Sequence, residues 1–228
     1  MSSPRSDHPV NPLPPVIVAL FLMVAGAEVT FTLAAYGLLG GADAIGWRQV
    51  AIQDYGFNAE LFGWMRQQGL WPMEHLKRFV TYVFVHGSFL HALIGGVMLL
   101  ALGKFVTGVF TQWATLVLFI VSAVVGALVF GLFAPERPWL MGTFPGVYGL
   151  IGGFMYLMWL KLGQMGSRQY RAFTLIGLLM ALQLVFGLLF GANSTWIADV
   201  AGFASGFVLS FFLAPGGWAR IRDRIRHR

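Results

Sequence analysis

Six apolar runs, each long enough to cross the hydrocarbon of a bilayer, leave this chain few alternatives to a bundle of membrane helices. They cover about residues 16–39, 79–102, 113–133, 142–162, 173–190 and 196–213. A helix of ~20 apolar residues spans the ~30 Å hydrocarbon core, and it satisfies its backbone polar groups internally where no water can. With 57% hydrophobic and 11% charged residues and a mean hydropathy of +0.73, the composition excludes an ordinary soluble domain. Cysteine is absent, so disulfides, thiolate metal sites and cysteine nucleophiles are excluded as well. The net charge of +6 does not point to nucleic acid, because the basic residues gather at span boundaries and in the C-terminal tail.

The predicted organisation is a short disordered tail (1–15), a six-helix membrane domain (16–213) with a long first loop (40–77), and a basic tail (214–228). Pro4, Pro9, Pro12, Pro14 and Pro15 keep the first tail from forming a helix. The first run is too long for a signal-peptide core and is read as a retained span. It carries Glu28 near its middle, a carboxylate expected to face the bundle or to be protonated, hydrogen-bonded to a neighbouring helix. The first loop interleaves Trp47, Tyr55, Phe62, Trp64 and Trp71 with charged residues, the composition of a segment lying at the headgroup level. Within it, residues 58–68 are predicted to form a short helix with Leu61, Phe62 and Met65 on one face.

An even number of spans places both termini on one side. Ten Lys and Arg fall on that side and five on the other, so both termini are expected in the cytoplasm, in an inner membrane of bacterial type. Five alternating arginines in the last tail, Arg220, Arg222, Arg224, Arg226 and Arg228, read as a topology anchor in contact with anionic lipid. The fourth run holds a ladder of small residues, Gly142, Gly146, Gly149 and Gly153, which lets a neighbouring helix approach to near backbone contact. Gly202 and Gly206 in the sixth run are expected to pack on that face, with Asp199 at an outer, hydrated helix end.

Three ordered motifs carry a family resemblance. The segment RFVTYVFVHGSFLH (78–91), the segment GTFPGVYGLIGG (142–153) and the segment DVAGFASG (199–206) resemble, in order and spacing, the second, fourth and sixth helices of rhomboid intramembrane proteases. The resemblance implies a six-helix fold, serine-protease chemistry beneath the membrane surface, and a gate for client helices between the second and fifth spans, the latter with Thr174, Gln183 and Gly187. In the family, a serine in the fourth helix attacks and a histidine in the sixth takes its proton; an unassisted hydroxyl is a weak nucleophile. Here those positions hold Phe144 and Asp199. The glycine after the serine is Pro145, which has no N–H to offer an oxyanion.

Of the oxyanion donors that the resemblance implies, His91 is retained, whereas the asparagine position holds Gly95. The family's Trp-Arg pair is matched by Lys77 and Arg78. The expectation is a catalytically inactive relative that binds transmembrane clients through Arg78, His86, His91, Phe144 and Asp199, without a cofactor or metal. Two other readings stay open: a structural subunit of a larger membrane complex, and a protease rebuilt from Ser88 or Ser205 with His86 or His91 as base. Metal ligation by the two histidines is not expected, since a spacing of five puts them on different faces of a regular helix.

Overall fold

The structure, a computed structural model, describes residues 12–134, 139–174, 176–178 and 194–217. Most of the fifth predicted run, with Gln183 and Gly187, most of both outer tails and all five C-terminal arginines lie outside the described residues. Helix α1 (Pro15–Ala35) begins with proline at its first position, where the missing N–H has no intrahelical partner to lose. The first loop then folds into α2 (Trp47–Tyr55), the short strand β1 (Phe57–Asn58), α3 (Ala59–Gln68) and two single-turn helices, α4 (Met73–Leu76) and α5 (Arg78–Thr81). After a bent connection come α6 (Phe89–Thr107), α7 (Gln112–Phe133), the strand β2 (Trp139–Leu140), α8 (Phe144–Gln164) and α9 (Trp196–Leu213).

Among the described residues, α1, α6, α7 and α9 are long and apolar enough to cross a membrane. Helix α8 matches them in length at 21 residues but is less apolar, because its first half is rich in glycine. Its surroundings explain how it tolerates that composition. Every residue from Pro145 to Gly153 is buried, and the helix packs most extensively against α9 and then against α7. It is the protein-lined centre of the bundle.

Three glycines set the spacing. A Cβ on Gly206 would lie 2.1 Å from the Gly149 carbonyl oxygen, and one on Gly202 would lie 2.2 Å from that of Pro145. Gly152 faces α9 just as closely, 2.3 Å from the Phe203 carbonyl oxygen by the same measure. The α9 glycines thus meet the α8 backbone at Pro145 and Gly149, rather than the open face of the predicted ladder. Gly146 and Gly149 turn toward α7, against Phe119 and Ser122. Gly142 is not part of the helical ladder: it precedes α8 with φ +99°, a conformation only glycine adopts readily, and its missing Cβ makes room for the His91 ring.

The second predicted span begins ten residues later than the hydropathy suggests. Residues 78–84 form α5 and a 3-10 turn (Tyr82–Phe84), and Val85 is extended before α6 starts at Phe89. Apolar content alone hides this break, because Phe79, Tyr82, Val83 and Val85 are buried in the bundle core rather than facing lipid. His86 consequently lies off the helix that carries His91. The two rings meet edge to face with centroids 5.2 Å apart, which corrects their expected separation on a regular helix.

The first loop is structured throughout. Helix α3 spans the predicted residues with Phe62 and Met65 buried, and Asn58 caps it by accepting a bond from the Leu61 N–H at 2.7 Å. Replacing Asn58 with alanine should lower stability by about 1 kcal/mol, the usual cost of a lost N-cap, measurable by unfolding in detergent. Arg78 also serves this loop: its guanidinium donates to the carbonyls of Gln53 and, at 3.0 Å, Gly56. Glu28 is buried in a different arrangement from the neutral hydrogen bond expected of it. It receives Arg48 of α2 in a two-pronged ion pair at 2.6 and 2.8 Å, with a third bond from the Thr32 hydroxyl.

Candidate functional site

The N-terminal ends of α8 and α9 converge on a cavity of about 360 Å³, lined by His91, Trp139, Leu140, Met141, Phe144, Pro145, Thr195 and Asp199. Short-range structure accounts for each wall. Strand β2 pairs antiparallel with β1, Leu140 opposite Phe57 and Trp139 opposite Asn58, and this holds Trp139 in the cavity wall. The Gly142 N–H donates to the Tyr82 carbonyl at 3.0 Å, so the chain turns sharply into α8. The proline at the start of α8 needs no N–H there, and Phe144 immediately before it is left facing the cavity.

The Phe144 ring lies nearly parallel to the His91 imidazole, centroids 5.1 Å apart and planes 18° from parallel. Asp199 sits across the same cavity in the first turn of α9. It is 3% exposed, which corrects the expectation of a hydrated helix end. Burial there is compatible with charge, because a carboxylate in a helix's first turn is favoured by the N-terminal partial charge. Tyr82 and Tyr148 lie within its electrostatic reach. The structure thus brings Phe144, Pro145, His91 and Asp199 to one place.

The other predicted residues lie around this group in supporting positions. Gly95 packs behind it, with no room for a side chain: a Cβ would come within 2.3 Å of the Thr143 hydroxyl. Thr143, to which the family motif assigns no role, is fully buried. Its N–H donates to His86 Nε2 at 3.2 Å, and its hydroxyl lies 3.5 Å from the same nitrogen. An Nε2 that accepts leaves the proton of a neutral imidazole on Nδ1. On its other side, the His86 carbonyl accepts from Arg48 at 2.9 Å. His86 and Arg78 therefore bond to neighbouring backbone, away from the cavity lining.

Neither candidate replacement nucleophile meets an imidazole. Ser88 caps α6 by accepting from the His91 N–H at 3.2 Å. Ser205 donates to Ser122 at 2.9 Å and to the Gly202 carbonyl at 3.1 Å, within the contact between α7 and α9. A serine and its base need the hydroxyl within hydrogen-bond reach of the ring. Among the described residues, no group of three His, Asp or Glu is placed to hold a metal ion.

His86 lies in the extended connection, outside the spanning helices. Burial first, and then the neighbouring His91, lower its pKa from the ordinary 6.5 to about 4. Below pH 6.5 the unfolded chain takes up a proton that the folded chain refuses, so this group's contribution to stability is full above 6.5 and declines as pH falls toward 4. Unfolding midpoints measured across that window should fall less steeply in a His86→Gln variant than in the parent.

A family model described as Rhomboid domain matches residues 73–216, more than half of the chain, and includes every residue that lines the cavity. No curated protein matches the chain.

Proposed function

Because the chain belongs to the rhomboid family and is an integral membrane protein, we propose that it is an inactive member which binds transmembrane client or partner proteins without cleaving them. The observation that carries this reading is the Phe144 ring stacked on His91 where the family's nucleophile would face the cavity. A phenyl ring offers no nucleophilic atom, Pro145 offers no oxyanion donor, and Asp199 cannot act as the imidazole base. Ser88 and Ser205 are bonded elsewhere, which disfavours a rebuilt dyad. What remains is a cavity lined by His91, Trp139, Phe144, Pro145 and Asp199, which in this reading is where a client helix binds. In this reading the fold has six spans, both termini are cytoplasmic, and the membrane is a bacterial inner membrane with anionic lipid against the C-terminal arginines.

Two measurements on the purified full chain test it. Incubation with a transmembrane substrate of low helical stability should give no cleavage, and a fluorophosphonate probe should leave no serine labelled. Crosslinking in native membranes should capture a varied set of single-span proteins. Cleavage abolished by Ser88→Ala or Ser205→Ala would establish an enzyme instead. A single stoichiometric partner would establish a subunit of a larger complex.

A further inference from the structure

We propose that the turn leaving α8 binds the phosphate of an anionic phospholipid headgroup, held by Arg168 and Arg171 with Tyr170 beside them. The site lies apart from the cavity and does not depend on client binding. Helix α8 ends in a Schellman cap: the Ser167 N–H donates to the Leu162 carbonyl at 2.9 Å and the Gly166 N–H to that of Gly163 at 3.2 Å, with Gly166 at φ +64°. The chain then returns as a 3-10 helix (Gln169–Phe173) packed on α8. Gln169 donates to the Trp159 carbonyl at 3.1 Å, Ala172 is buried, and the Phe173 ring meets Phe207 of α9 with centroids 5.2 Å apart. At three residues per turn, turning Gln169 and Ala172 inward sets Arg168 and Arg171 one above the other on the next edge, where both are exposed. The Arg168 guanidinium donates to the Tyr170 hydroxyl at 3.2 Å, so the phenol keeps its own O–H for an anion. Two guanidinium forks and a phenol on a backbone already fixed by hydrogen bonds are a donor set suited to phosphate oxygens, with little left to order on binding.

The charge around this turn is positive over the whole sequence. Between Glu136 and Asp199 there is no acidic residue, while Lys161, Arg168 and Arg171 all fall there. In the six-span reading both outer tails lie on the same side, and they bring Asp7 and Asp223 against Arg5, Arg220, Arg222, Arg224, Arg226 and Arg228. The surroundings favour a lipid headgroup over a free phosphate. The turn directly follows a helix read as spanning the membrane, and Met165 and Tyr170, 65% and 62% exposed, flank the two arginines. An apolar side chain and an amphipathic ring beside cations suit the headgroup level, where acyl chains and phosphates meet.

The experiment uses the full chain in a neutral detergent, titrated with photoreactive phosphatidylglycerol or with phosphatidylcholine of the same acyl chains, and maps the label by mass spectrometry. Phosphatidylglycerol is expected to label residues 165–174 in preference to phosphatidylcholine. The double variant Arg168→Gln, Arg171→Gln should weaken that labelling about thirtyfold, and Arg168→Lys, Arg171→Lys should retain most of it. Neutralising Arg224 and Arg226 in the C-terminal tail should leave it in place. Excess inorganic phosphate should not displace the lipid. Equal labelling of the turn by the two lipids, or undiminished labelling in the glutamine variant, would overturn the proposal; the first comparison needs no variant to fold. Loss of label on neutralising the tail instead would assign the lipid to the tail, and full displacement by phosphate would make this a free-anion site; either result also overturns it.

Discussion

Replacing Arg48 with alanine is expected to lower the stability of the folded chain by about 3–5 kcal/mol, the cost of leaving a buried partner charge uncompensated. Glu28 is 5% exposed and faces Arg48 through two hydrogen bonds, so its remaining bond from Thr32 cannot replace the lost guanidinium. The same arginine holds the His86 carbonyl and lies over the Phe31 ring with 5.5 Å between Cζ and the ring centroid. One truncation therefore releases α1, α2 and the connection to α6 together. Glu28→Ala should cost less than Arg48→Ala, since the arginine left behind is 22% exposed and reaches water. The double variant Glu28→Leu, Arg48→Met should be more stable than Arg48→Ala alone, because paired removal strands no charge. Equilibrium unfolding in mixed micelles gives all three values. A loss below about 1 kcal/mol in Arg48→Ala would place the pair with exposed surface ion pairs.

The second large effect is expected at Gly206. An alanine Cβ there would stand 2.1 Å from the Gly149 carbonyl oxygen and 2.6 Å from its Cα, both backbone atoms in the buried middle of α8. No side-chain rotation relieves that overlap, so α8 and α9 must separate and forfeit packing along the whole contact. Overpacking typically costs about 1–3 kcal/mol, and a backbone clash belongs at the upper end. Gly26→Ala in α1 is the matched control: nothing lies within 4 Å of where its new methyl group would stand, so the unfolding midpoint should not fall. Helix propensity favours alanine in both variants, so a midpoint that does not fall in Gly206→Ala would mean that the contact of α8 with α9 does not determine the result.

Much of this fold is legible in the sequence because it depends on local chemistry. The apolar runs of α7 and α9 coincide with those helices to within a residue, since each is uniformly apolar and ends at turn-forming residues. Asn58 ahead of an amphipathic stretch announces α3. The small residues of α8 and α9 announce their contact, although Gly152, the α8 glycine whose open side faces α9, lies outside the ladder that suggests it. What resists reading depends on partners distant in sequence. Arg48 has the appearance of a loop charge reporting topology, and only the fold shows it reaching Glu28 twenty residues earlier. The break at Val85 is hidden because residues buried by protein and residues bathed in lipid share one apolar vocabulary.

The candidate site divides in the same way. The family resemblance pairs Phe144 with Asp199, and the cavity places both in its walls. Thr143 and Trp139 escape a sequence reading because no motif position calls for them; Trp139 enters through strand pairing and Thr143 through its bond to His86. Gly95 reads as a lost donor. In the fold it is a space already filled by the Thr143 hydroxyl, so restoring asparagine there would require Thr143 to become smaller as well.

The pairing of Asn58 with Trp139 has a mechanical consequence. The residue that caps α3 is also the residue whose backbone faces the outer wall of the cavity across the β1–β2 ladder. The two elements are thus tied together: the backbone at Trp139 cannot shift away from β1 without pulling on the first turn of α3.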